Sequence, residues 1–378
     1  MIPLQRPSMS DAELLGVEAV FASGWLGMGE EVVQFESELR AFLGVFDVIC
    51  CNTGTSALHL ALAALELPSG AEVIVPSLTW TSSVQSILMA GLTPVFADVD
   101  ATSLNLTANT IRSVLSPETR AFMPVHYCGL SCDMDPIVAL AEQHGALVVE
   151  DAAHAFGSSY NGRPVGQNGH LTCFSFDPIK NITCGEGGAV VVSTERFANA
   201  AKLARSKRVL GMDLDTWARH RTLRPYHYDV SSDGFRYHMP NFCAAIGRAQ
   251  LRRFDVFAAR RRDIASRYTR AFASHHAIRL LPFDAGTTVP FMFVVRAANR
   301  AAFMAHLRER DVMSGVHYLP NHRHTHFKRF RAGAMTVTDT VAEQIVTLPL
   351  FVDQTDAQVE TVINAVLDYS GLPVSDMH

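Results

Sequence analysis

From about Phe46 to Val192 the chain alternates short apolar runs with amphipathic ones, and this alternation constrains the fold more than any other feature. "VFDVICC", "EVIVP", "TPVFADV", "RAFMPVHY" and "ALVVEDA" read as strands. Between them, "TSALHLALAALEL", "TSSVQSILMAG", "ANTIRSVL" and "MDPIVALAEQHG" read as helices. Strands that are apolar throughout are buried on both faces, so the pattern predicts an α/β fold with a mostly parallel sheet sandwiched by helices. Ligands of such sheets bind at the carboxyl ends of the strands. Chemistry-bearing residues are therefore expected just after each strand.

The remainder of the chain reads differently. A long helix is expected from about Asn241 to Phe272, with its arginines on a solvated face. "VPFMFVVRA" and "HYLP" read as strands, and "AAFMAHLRERD" and "DAQVETVINAVLDYS" as helices, which predicts a smaller C-terminal α+β domain. A length of 378 residues exceeds one ordinary domain. The expected division is residues 1–248 and 249–378. The polar stretch "DLDTWARHRTLRPYHYDVSSDG" reads as a long loop, and no internal repeat appears.

Bulk properties exclude several function classes. A net charge of −5 supplies no basic field for nucleic acid or an anionic membrane. The start, "MIPLQRPSMSDAELL", lacks a basic region followed by an apolar run, and no apolar run reaches the ~20 residues that span a bilayer. Seven cysteines, several in strand-like runs, suit reduced thiols and a cytoplasmic location. Cys128 and Cys132 have no second Cys/His pair at zinc-like spacing, and no metal is expected.

Three stretches carry the chemistry. In "CCNTGTSALHLAL" a strand ends and a helix opens at glycine and hydroxyl residues, which makes either an anion site or an ordinary N-cap. In "ALVVEDAAHAFGS", Glu150 and Asp151 close a buried strand, so Asp151 either faces a ligand or caps the next turn; His154 follows. In "CFSFDPIKNITCGEGG", Lys180 stands in a turn between a strand and a glycine reversal. Arginine supplies 28 of the 32 basic residues, so a lysine here is conspicuous. A phosphate loop, a strand-end Asp and a Lys after a further strand, in that order, suit pyridoxal phosphate. The Asp keeps the pyridine nitrogen protonated, and the Lys binds the aldehyde carbon and then shuttles a proton. That amine must lose its proton near neutrality, which a guanidinium does not do.

The chain resembles the DegT/StrS-type sugar aminotransferases, pyridoxal-phosphate enzymes of the aspartate aminotransferase fold (fold type I). The resemblance runs from about residue 2 to 368 through "SGWLGMGEEVVQFE", "NTGTSALHLAL", "PVHYCG", "VVEDAAHAFGSSYNGRPVG", "CFSFDPIKNITCGEGGAVV", "GFRYHMPNFCAAIGRAQL" and "GVHYLP". It implies that Lys180 is the Schiff-base lysine and Asp151 the partner of the pyridine nitrogen. It implies that Gly54, Thr55, Ser56 and Ser175 hold the phosphate, that Trp80 stacks on the ring and that His154 lies beside it. In the family a "GYNYR" or "GYKYN" segment reaches the neighbouring subunit's phosphate across a homodimer. Here it reads "GFRYHMP", which puts Arg236 and His238 where the family has Asn. Glu186, His317 and His322 are expected near the substrate. The implied reaction moves an amino group from glutamate, leaving 2-oxoglutarate, to the keto carbon (C4) of a nucleotide-linked keto-deoxy sugar, as in amino-sugar and O-antigen biosynthesis. A sugar dehydratase, a cyclitol aminotransferase and a non-catalytic regulatory protein on the same fold are the alternatives. Lys180 argues against the dehydratase, in which His replaces it. A nicotinamide oxidoreductase is the remaining alternative, but the fingerprint it needs is absent: "NTGTSA" stands where G-x-G-x-x-G would.

Overall fold

A computed structural model of the chain describes residues 1–221 and 226–371. Twelve strands are present among them: β1 Asp47–Cys51, β2 Glu72–Pro76, β3 Thr93–Ala97, β4 Thr119–Phe122, β5 Leu147–Asp151, β6 Ser159–Tyr160, β7 Arg163–Pro164, β8 Leu171–Ser175, β9 Gly188–Val192, β10 Ile278–Leu280, β11 Phe293–Ala297 and β12 Ile345–Leu348. Seven of them form one sheet in the order β1-β9-β8-β5-β4-β2-β3. All of its pairings are parallel except the two made by β9. The glycine turn after Lys180 is what reverses the chain into β9, with Gly185 at φ 78.

Side-chain alternation explains why both faces are covered. Ile49, Cys51, Val190 and Val192 join one core with the helices Gly54–Ala64, Thr81–Met89 and Ala198–Lys207. Their neighbours Val48, Cys50, Ala189 and Val191 point the other way, into a second core with the helices Glu30–Leu43 and Asn241–Arg252. A period of two in fully apolar strands thus builds two helical layers on one sheet. All seven cysteines are free and buried.

β10, β11 and β12 form an antiparallel sheet. Its core combines Phe293 and Val295 with Tyr268, Phe303, Leu307, Val362 and Val366 of three helices. Residue 248, the expected division, lies inside the helix Asn241–Arg252, which packs on the helices Asp11–Ser23 and Glu30–Leu43. No helix among the described residues is long and apolar enough to cross a membrane.

Three local expectations are corrected. The long helix from Asn241 is two helices, Asn241–Arg252 and Phe254–Phe272. Arg253 breaks them at ψ −1, where its N–H turns to Gln250 O and its guanidinium is held by Glu13. "HYLP" is not a strand: pairing with Thr347 ends at Gly315, and the His317 carbonyl instead accepts from the Tyr127 hydroxyl. The polar loop contains a short helix, Thr216–His220, capped by Asp215; residues 222–225 lie outside the described residues.

Candidate active site

A cavity of about 420 Å³ opens at the carboxyl ends of β1, β2, β5 and β8. It is lined by Thr53–Thr55, Thr79, Trp80, Asp151, His154, Ser175, Lys180, Glu186 and His317, with Phe291 and Tyr318 from the chain around the second sheet. The parallel sheet therefore places the expected residues where its strand ends converge.

The floor begins at the helix Gly54–Ala64. Thr53 is its N-cap: its hydroxyl accepts from Ser56 N–H at 3.0 Å, and Ser56 Oγ accepts from Thr53 N–H at 3.0 Å. Ser56 is thereby spent on the cap, and its hydroxyl donates to Asn52 at 2.6 Å. It does not line the cavity, whereas Gly54 and Thr55 do. Their backbone N–H groups make no hydrogen bond among the described residues, so the helix start keeps donors for an anion. Gly54 is required by close approach: a Cβ there would stand 2.7 Å from Ser175 Cβ and 2.8 Å from Ser175 Oγ.

β5 divides the two acids that close it. Glu150 points away from the cavity, where His126, Gly169 N–H and the Thr172 hydroxyl satisfy it at 2.8, 2.7 and 2.6 Å. Asp151 points into the cavity. Its Oδ2 accepts from the Ser83 hydroxyl at 2.6 Å and its Oδ1 from Ala153 N–H at 3.1 Å. Burial raises the Asp151 carboxyl above its usual range, against the opposing pull of Ser83, Ala153 N–H and the Lys180 charge. A buried carboxylate facing a cavity favours a cationic partner.

Lys180 donates no hydrogen bond among the described residues, and its Nζ lies 4.1 Å from the centroid of the Phe291 ring. Burial pulls it down to about 8, against the charges of Asp177 and Asp151. A free amine with that affinity is a nucleophile and a base near neutrality. His154 lies on the same Phe291 ring, with centroids 4.5 Å apart. Its Nδ1 is buried without a partner among the described residues. Trp80 is 57% exposed and stands 5.5 Å from the Tyr318 ring, at the mouth.

Two of the expected substrate residues reach this cavity and one does not. Glu186 is exposed on its rim, its carboxyl raised by partial burial and by Asp177. His317 is anchored through Nδ1 to the Thr347 hydroxyl at 2.8 Å, and burial with the Lys180 charge pushes it down to about 4. His322 lies outside, bonded by Nδ1 to Ser77 at 2.7 Å and by Nε2 to Asp339 at 3.1 Å. Arg236 and His238 line a separate cavity of about 350 Å³ with Trp25, Met28 and Met212. Sequence reasoning missed Thr53, Ser83, Asp177, Phe291 and Tyr318. Thr53 and Asp177 are neighbours of quoted motifs, whereas Phe291 and Tyr318 arrive from distant sequence.

The residues present fit pyridoxal phosphate. Free amides beside a glycine that a Cβ would close off suit its phosphate, a buried carboxylate suits its pyridinium, and an unpaired amine suits its aldehyde. Fold and cavity together define a pyridoxal-phosphate enzyme of fold type I. Residues 7–367 match the model of the DegT/DnrJ/EryC1/StrS aminotransferase family. The chain belongs to that family, and it is a pyridoxal-phosphate-dependent aminotransferase. Solved structures agree. The aminotransferase TlmJ from Streptoalloteichus hindustanus is 33% identical with a TM-score of 0.88, over 97% of this chain and 98% of that one. The sugar aminotransferase CalS13 from Micromonospora echinospora is 29% identical with a TM-score of 0.89, over 97% and 99%. Spr1654 from Streptococcus pneumoniae, solved in its PMP form, is 27% identical with a TM-score of 0.91, over 97% and 98%.

Proposed function

We propose that this aminotransferase moves the amino group of glutamate to the keto carbon, C4, of a nucleotide-linked keto-deoxy sugar. The observation that carries the reading is a single cavity holding a Lys180 amine without a hydrogen-bond acceptor among the described residues, a buried Asp151 and free amides at Gly54 and Thr55. In this reading Gly54 N–H, Thr55 N–H and the Ser175 hydroxyl hold the phosphate. Asp151 accepts the hydrogen of the pyridine nitrogen and keeps that nitrogen charged. Trp80 covers the ring at the mouth and limits water. Bound there, the cofactor supplies an electron sink for the carbon that loses its proton. Lys180 Nζ takes that proton and returns it to the neighbouring carbon, which its position at about 8 permits in both directions. Glu186 and His317 offer acceptor and donor groups to sugar hydroxyls.

The site is completed in a homodimer. Arg236 is exposed, without an ion pair or hydrogen bond among the described residues, and a guanidinium suits a phosphate better than the amide that the family resemblance implies there. It reaches the partner subunit's phosphate in this reading.

The deciding experiment offers the purified enzyme glutamate with a panel of nucleotide-linked keto sugars and reads product mass. Replacement of a carbonyl oxygen by an amine, with 2-oxoglutarate formed in equal amount, is expected. Loss of water without gain of nitrogen would place the chain among dehydratases, and amination only of free cyclitols would refute the nucleotide-sugar assignment.

A further inference from the structure

The hydroxyl of Tyr318 stands 3.0 Å from His154 Nε2 and makes no other hydrogen bond among the described residues. His154 is 5% exposed. Its ring stacks on Phe291, with centroids 4.5 Å apart and 17° between planes, and meets Tyr318 at 5.9 Å and 28°. Phe291 sets the plane of the imidazole, and the Tyr318 hydroxyl fixes which nitrogen faces it. Nδ1 is left buried and unpaired on a residue that lines the Lys180 cavity.

A neutral imidazole has one N–H and one lone pair, and which nitrogen carries the hydrogen follows from the bond the other makes. Burial, with the charges of Lys180, His317 and His126, keeps His154 neutral. Two arrangements then exist. With the hydrogen on Nε2, the histidine donates to the phenol oxygen. The phenol hydrogen then has no acceptor among the described residues, and a bare lone pair is left on Nδ1. With the hydrogen on Nδ1, the phenol donates to Nε2 and that contact is satisfied on both sides. Only one group, Nδ1–H, is then left over. Leaving fewer buried polar groups unmatched favours the second arrangement.

We propose that Tyr318 is a positioning residue that fixes His154 as the Nδ1–H tautomer, so that the group left over on this cavity-lining histidine is a hydrogen-bond donor and not a bare lone pair. A donor that is neutral and held in place adds no charge beside Lys180. The proposal rests on that cavity being the reaction site, but its test does not.

Full-length protein without cofactor, carrying ¹⁵N-histidine, gives the tautomer directly in a long-range ¹H–¹⁵N correlation spectrum. His154→Gln assigns the signals by their loss. The expected pattern is a protonated Nδ1 and a bare Nε2. In Tyr318→Phe the ratio of the two tautomers should fall by on the order of tenfold, the ratio that one hydrogen bond of ordinary net strength maintains. A bare Nδ1 in the unsubstituted protein, or an unchanged ratio in Tyr318→Phe, overturns the proposal. If Tyr318→Phe does not fold, the unsubstituted spectrum alone decides. Failure of the protein to hold pyridoxal phosphate would instead refute the reaction assigned above and leave the tautomer result standing.

Discussion

Ser83→Ala isolates the support beneath Asp151. The Ser83 hydroxyl donates to Asp151 Oδ2 at 2.6 Å and is itself bonded to the Thr79 hydroxyl at 2.8 Å. Both serine and carboxylate are buried. The substitution removes one of the two protein hydrogen bonds that Asp151 accepts, leaving Ala153 N–H. A bond to a charged acceptor contributes about 1.5–3 kcal/mol, and 1.36 kcal/mol corresponds to one pH unit of proton affinity. Burial already raises the Asp151 carboxyl, and losing a donor to its charged form raises it further. Cofactor affinity, measured by absorbance titration across pH, should therefore lose its acid limb about one to two pH units higher in Ser83→Ala than in the unsubstituted enzyme. Thr79→Val, which removes only the bond behind Ser83, should move it less. An acid limb that stays in place, or a loss of affinity equal at every pH, would refute the claim that Ser83 acts by stabilising the Asp151 carboxylate.

Other perturbations test other parts of the account. Gly54→Ala drives a Cβ to 2.7 Å from Ser175 Cβ; overpacking of about 1–3 kcal/mol should weaken pyridoxal phosphate by roughly tenfold or more, read by the same titration, with the far-UV circular dichroism unchanged. Burial brings Lys180 to about 8 while Asp177 and Asp151 oppose it. Capture of pyridoxal phosphate by cofactor-free protein should thus accelerate through pH about 8, and Asp151→Asn should lower that midpoint. Glu36 is buried and tied to Arg208 and Arg205, whose charges outweigh burial and hold its carboxyl below the usual value. Glu36→Gln leaves buried Arg208 without its carboxylate, although Arg205 keeps Asp47, and should cost about 3–5 kcal/mol in a urea melt at neutral pH. Because a lowered carboxyl stabilises the fold only above its unfolded value, that difference should shrink as pH falls below about 4.

The sheet was legible because Val48 to Cys51 and Gly188 to Val192 are apolar at every position, which only a two-sided burial explains. Lys180, Asp151 and Gly54 were legible because each ends or follows a strand, where an α/β sheet concentrates its ligands. Ser83 was not: it lies on the buried face of a helix and reads as an ordinary small helical residue. Phe291 and Tyr318 were not, because only folding brings residues more than a hundred positions away onto Lys180 and His154. Ser56 shows the opposite failure, a motif residue whose polar groups the helix cap consumes. His322 shows it too, a histidine expected near the substrate whose two nitrogens are taken by Ser77 and Asp339.

The central claim is that Lys180, of the four lysines in the chain, is the one that holds the cofactor. Borohydride reduction of the enzyme loaded with pyridoxal phosphate, followed by peptide mass mapping, tests it directly. The predicted result is one pyridoxyl addition per chain on the peptide containing Lys180, absent in Lys180→Ala. Addition at Lys202, Lys207 or Lys328 in place of Lys180, or none at all, would contradict it.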